Sequence, residues 1–238
     1  SVDGCPDIFT CFSHGCCAAI RPVEVELLLT TICGCLSGFG LKQTINWLSI
    51  DGYHIKPKNI LLELMCSLIW IWAFLSLPLS EAIIFAFIST LLVGIGVIDF
   101  YTFQIPLIFI LLGVIGIIVN VLLKLTYITA ALWGIFVGAV IPLIIMLLLK
   151  MVTKRQGMGY GDIQMGIVLG AWLGPMRMAI TLFSASLLSL FTWLAVSLVK
   201  DFDKDRALPM APFLAVSGIG VYVGSIYYPG FFHLLIIY

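Results

Sequence analysis

Charged side chains are scarce in this sequence. Asp, Glu, Lys and Arg together make up 10% of its 238 residues, against about 25% in an ordinary soluble domain. Hydrophobic residues reach 62% and the mean hydropathy is +1.17, so too little polar surface exists to cover a water-soluble core. Twelve basic residues balance twelve acidic ones. That balance removes the basic field a nucleic-acid binder needs and the acidic tail a cationic partner would meet. Paired CxxC spacings are missing as well. Cys33, Cys35 and Cys66 lie inside apolar segments, where a thiol behaves as a small hydrophobe. Cys5, Cys11, Cys16 and Cys17 are not spaced for tetrahedral zinc, so no metal site is expected. The first twenty residues show no basic stretch followed by an apolar run, which excludes a signal peptide there. Without internal repeats or low-complexity linkers, the economical division is a cysteine-containing stub over 1–22 and one helical membrane domain over 23–238.

What the sequence does have is long apolar runs. Cut at charge clusters and at Pro and Gly breaks, they predict an all-α polytopic membrane protein of about eight transmembrane helices. These fall near 23–41, 60–77, 81–98, 106–123, 128–149, 163–175, 178–199 and 211–228. The sixth is shorter than the roughly 17 to 25 residues a full span needs, and the first is interrupted by Gly34, Gly38 and Gly40. Gly94 and Gly96, Gly113 and Gly116, Gly134 and Gly138, and Gly166 and Gly170 suit close helix packing. Lys and Arg then set the orientation, because cytoplasmic loops carry most of them. Lys42, Lys56, Lys58, Lys150, Lys154, Arg155, Lys200, Lys204 and Arg206 fall on one side, and Arg21, Lys124 and Arg177 on the other. This places the loops near 42–59, 99–105, 150–162 and 200–210 in the cytoplasm and both termini outside.

Carboxylates at the edge of a membrane segment are costly and point to function. Glu63, Glu81, Asp99 and Asp162 are the candidates. Asp99 ends the run LLVGIGVI, and Asp162 closes GMGYGD just before the next apolar segment, so the charge count puts both at one membrane face. Two carboxyls held close share a proton and titrate as a pair. One can then take a proton from a water while the other gives one to a scissile carbonyl. Gly157, Gly159 and Gly161 leave room for backbone and substrate beside the second acid. Taken singly, Asp162 also reads as a helix N-cap and Asp99 as an interfacial acid, and spacing alone does not decide between these readings.

IDFYTFQIP, with Asp99 followed by Ile105 and Pro106, resembles the first-aspartate motif of the type IV prepilin peptidases. GMGYGD resembles the GxGD motif of the same family, shared in outline with preflagellin peptidases and presenilins. LPMAPFLAVSGIG resembles the start of the family's last helix, and NWLSIDGYHIKPKNILLEL the segment leading into its second. Together these stretches cover roughly 46–227. The resemblance implies an aspartic endopeptidase with Asp99 and Asp162 as catalytic acids. Gly157, Gly159, Gly161 and Pro106 would shape the site, with Glu63 and Gln164 as supporting residues. It implies a prepilin or pseudopilin precursor as substrate, cut after a short basic leader at the cytoplasmic face of the bacterial inner membrane.

The departures matter too. Gln164 stands where the family has Lys, and the 42–59 loop lacks the two CxxC pairs of bifunctional members. That absence weighs against a zinc-supported loop and against N-methylation. No cofactor is implied for peptide cleavage, and S-adenosylmethionine only for methylation if it is retained. Two other readings remain at this point: a transporter or channel whose pathway these carboxylates line, and a non-catalytic component of pilus assembly.

Overall fold

A computed structural model describes residues 23–49, 52, 54–56, 59–153, 159–199 and 208–234. The expected 1–22 stub and Gly157 lie outside the described residues. Among the described residues the regular structure is helical: α1 (Val23–Leu48), α2 (Leu61–Ser76), α3 (Leu79–Thr102), α4 (Leu107–Leu122), α5 (Ile128–Ile135), α6 (Ile141–Thr153), α7 (Tyr160–Val199), α8 (Ala211–Tyr227) and α9 (Pro229–Leu234). A π-helical segment, Phe136–Val140, joins α5 to α6 without a break. All eight apolar segments marked in the sequence are helical. Leu79–Thr102, Ile128–Val152 and Tyr160–Leu198 are long and apolar enough to cross a membrane, while the apolar helices Leu61–Ser76, Leu107–Leu122 and Ala211–Tyr227 are shorter.

The distribution of side chains is that of a protein in lipid. On α4, Leu107, Leu111, Ile115, Ile118 and Leu122 are exposed, whereas Phe109, Ile110, Gly113, Gly116 and Asn120 are buried. Large aliphatics therefore face outward at helical spacing, while the buried face holds two glycines and Asn120 beside Phe109 and Ile110, so the exposed side is the uniformly apolar one, unlike a helix in water. These features define a polytopic helical membrane protein.

α3 is apolar on every side and forms the centre of the bundle, buried along most of its 24 residues and packed by α1, α2, α4 and α8. The expected glycine packing is seen at each pair. A methyl group on Gly94 would meet Leu41, on Gly96 Pro212, on Gly113 Val168 and on Gly116 Phe87. α5 and its π-helical continuation cross α7 backbone to backbone. A methyl at Gly134 would run into the Gly170 carbonyl, and one at Gly166 into the Gly138 carbonyl.

Two boundaries depart from the sequence reading. α1 continues to Leu48, so Lys42 lies within the helix and not in the loop beyond it. Its ammonium is accommodated there by Glu63 at 2.9 Å and the Asn59 carbonyl at 2.8 Å. The sixth and seventh predicted spans are two helices, as expected, but they join end to end at a kink within the range labelled α7, with no loop between them. Gly174 takes φ 76°, ψ 174° and is followed by Pro175. Glycine supplies the left-handed φ, and proline, having no N–H, cannot continue the ladder. The limb before the break, Tyr160–Leu173, is about 21 Å long at roughly 1.5 Å per residue.

Candidate active site

Asp99 lies in the last turn of α3. The turn closes with Phe103 N–H donating to the Asp99 carbonyl at 2.9 Å, Phe103 itself being left-handed at φ 54°. The side chain is 5% exposed, and its Oδ2 accepts a hydrogen bond of 3.1 Å from the Ala211 N–H, the first residue of α8. The C-terminus of α3 disfavours an anion, and the N-terminus of α8 favours one by about 0.3–1 kcal/mol. The second helix end offsets the first. Pro106, with an extended backbone (φ −68°, ψ 127°), precedes the start of α4.

Asp162 is the third residue of α7 and 9% exposed. Its Oδ2 accepts from the Gly159 N–H at 3.2 Å. It therefore sits one turn inside the helix and reaches back to a donor that precedes it, as the acidic half of a capping box does. It is not itself the cap.

The two motifs meet in space. A methyl group on Gly161 would lie 3.0–3.1 Å from the Cβ, Cγ1 and Cδ1 atoms of Ile105, so the glycine before Asp162 packs directly on the isoleucine that follows Asp99. A methyl on Gly159 would come 3.3 Å from Asp162 Oδ2, which only glycine avoids at no cost. Each of the two carboxylates is buried and accepts from one backbone N–H.

The remaining sequence candidates are placed differently. Pro106 separates α3 from α4 and so sets the approach of Ile105 to Gly161. Gln164 is half-buried, but two residues along a helix put it on another face from Asp162. Glu63 pairs with Lys42, with side chains 15% and 8% exposed, and thereby ties the first turn of α2 to α1. Sequence reasoning did not assign two contributors: the Ala211 N–H, and Ile105 as the contact surface for Gly161. A Leu-Pro pair ahead of the apolar run at 211 marks a helix start, and free N–H groups at helix starts are ready partners for an anion. Which anion they serve is a contact across 112 residues.

This is the geometry of a membrane protein that brings two buried carboxylates to one end of its central helix. Residues 85–194, just under half of the chain and including both acids, match the model of the type IV leader peptidase family. Similar curated proteins include the prepilin leader peptidase/N-methyltransferase of Aeromonas hydrophila, 36% identical over 69 residues, which is 29% of this chain and 24% of that protein. The protein of the same name from Pseudomonas putida is 30% identical over 139 residues, or 58% of this chain and 48% of that one. That of Dichelobacter nodosus is 33% identical over 107 residues, 45% and 35% respectively. The chain thus spans between about a quarter and a half of the length of these relatives. No solved structure matches it. The resemblance to the type IV prepilin peptidases stands on the segment that carries the two acids.

Proposed function

We propose that this protein is an aspartic endopeptidase that removes the leader from prepilin-like precursors, with Asp99 and Asp162 as the catalytic pair. The observation that carries the reading is the meeting of the two motifs: Gly161, next to the buried Asp162, packs against Ile105, six residues after the buried Asp99. In this mechanism one carboxyl enters protonated and the other ionised. The ionised acid takes a proton from a water held between them as its oxygen attacks the scissile carbonyl, and the protonated acid hydrogen-bonds and protonates the carbonyl oxygen. Collapse of the tetrahedral intermediate passes a proton to the leaving amine, and the pair returns to its starting state.

The site lies at the end of α3 that the basic-residue asymmetry assigns to the cytoplasm, in a bacterial inner membrane. A cationic leader emerging from lipid there would meet the acids at the junction with its apolar helix. Family resemblance and the relatives' names support this substrate class. The proposal is limited to cleavage, because the 42–59 loop has no cysteine to build the CxxC pairs of bifunctional members.

Asp99→Asn and Asp162→Asn, made separately, test it. An amide oxygen can still accept from Ala211 or Gly159, so both variants keep the fold. Each is expected to lose cleavage of a purified prepilin precursor. Wild-type cleavage by either variant would overturn the proposal. A transporter would instead lose flux, and a scaffold would lose neither.

A further inference from the structure

Gly96 stands one helical turn before Asp99, on the same face of α3 at i and i+3. That face meets the first turn of α8. Ala211, fully buried, donates its N–H to Asp99 Oδ2 at 3.1 Å, and the next residue, Pro212, lies against Gly96. A methyl group on Gly96 would stand 3.2 Å from the Pro212 Cα, 3.6 Å from its Cβ and 3.7 Å from the Ala215 Cβ. The nearest of these atoms is backbone and cannot turn aside as the end of a side chain can. Carbon atoms pack at about 3.5–4.0 Å, so α8 sits closer to α3 here than any residue with a Cβ would leave it.

Pro212 also narrows what α8 can offer. In the first turn of the helix its fixed φ is accommodated, and having no N–H it presents no donor beside that of Ala211. The Leu214 N–H donates to the Met210 carbonyl at 3.1 Å. Among the described residues, the bond from Ala211 is the one hydrogen bond made by the Asp99 side chain. A carboxyl group held by one donor turns with that donor, and where Pro212 rests on Gly96 sets where the donor stands.

Resting on the peptidase reading, we infer that Gly96 is a positioning residue of the catalytic site: its missing side chain seats Pro212 on α3 and so aims the Ala211 N–H at Asp99. Gly96 touches no reacting atom and acts through α8 on the acid that does. A misplacement of about 1 Å costs up to roughly 100-fold in rate. Because the acid works in the transition state, that loss falls on kcat and spares KM.

Replacing Ala211 with lactic acid turns the Met210–Ala211 amide into an ester and deletes that one N–H. With purified protein and a type IV prepilin precursor in detergent, this is expected to lower kcat about 10- to 100-fold and leave KM within twofold. Gly96→Val is expected to lower kcat by a similar factor. The ester placed in Gly96→Val should lower it by less than a further twofold, because the bond is already lost. A merely structural role for Gly96 would instead make the two losses multiply. Gly94→Ala meets Leu41 Cδ1 on α1, and in that protein the ester is expected to keep its full effect. If Gly96→Val is not recovered folded, Gly96→Ala, which asks α8 to give by only a few tenths of an ångström, carries the same comparison. Three results overturn the inference and leave the peptidase reading intact: losses that multiply in the Gly96 variant, an ester protein with wild-type kcat, or an ester effect that vanishes equally in Gly94→Ala. A wild type that does not cleave overturns both.

Discussion

Gly161→Ala puts the smallest addition where the two aspartate motifs touch. The new methyl would stand 3.0 Å from Ile105 Cβ and 3.1 Å from both Cγ1 and Cδ1, closer than carbon atoms pack at about 3.5–4.0 Å. Ile105 is β-branched and held between Phe103 and Pro106, so it gives way only by moving the segment after Asp99. Overpacking of this kind costs about 1–3 kcal/mol. If that strain displaces the acids from one another, a loss of roughly 5- to 150-fold in the rate of precursor cleavage follows, at about 1.4 kcal/mol per tenfold. The assay is initial-rate cleavage by purified protein, with thermal unfolding in the same detergent as the control. Ile105→Ala removes Cγ1 and Cδ1 and keeps Cβ, so the double variant is expected to recover part of the lost rate. Ile105→Gly, which removes all three atoms, is expected to recover more. The pair should therefore show a coupling energy, as residues in contact do. A Gly161→Ala protein of wild-type activity, or one whose loss Ile105 variants do not relieve, would refute the argument that this contact sets the relation of the two acids.

Other expectations follow from single features. Lys42→Met leaves the part-buried Glu63 carboxylate without its cation and should lower unfolding stability, while Lys42→Met with Glu63→Leu should regain most of the loss. Both are read by thermal unfolding in detergent. Gly134→Val drives a branched side chain into the Gly170 carbonyl and should abolish recovery of folded protein, measured by size-exclusion chromatography after detergent extraction. A cysteine replacing Tyr160, which is exposed, should react with an impermeant maleimide only from the cytoplasmic side. Labelling from outside alone would reverse the orientation.

The parts of the fold set by local chemistry were legible in the sequence. Apolar runs bounded by Pro and Gly mark the helices, and Gly174 with Pro175 marks the break in α7, because backbone freedom and a missing N–H act where they stand. The end of α1 was not. Lys42 reads as a charge that stops an apolar run, and the helix passes through it because Glu63 and Asn59, 21 and 17 residues further on, neutralise and bond the ammonium. The π-helical turn at Phe136–Val140 has no local signal either, since it sits where α5 and the π-helical segment itself cross α7 at glycines. At the site, both acids were visible as intramembrane carboxylates with distinctive neighbours. Their common environment was not, because it depends on Ala211 arriving at Asp99 from the other end of the chain and on Gly161 finding Ile105.

The central claim is that Asp99 and Asp162 act on one water. A structure of the protein bound to a precursor analogue, with a hydroxyl-bearing tetrahedral carbon at the scissile position, measures this directly. The account expects both carboxyl groups within about 2.6–3.2 Å of that hydroxyl or the atom beside it, with Asp99 still held by the Ala211 N–H. A bound analogue contacted by one carboxyl, with the other out of hydrogen-bond reach, would contradict it.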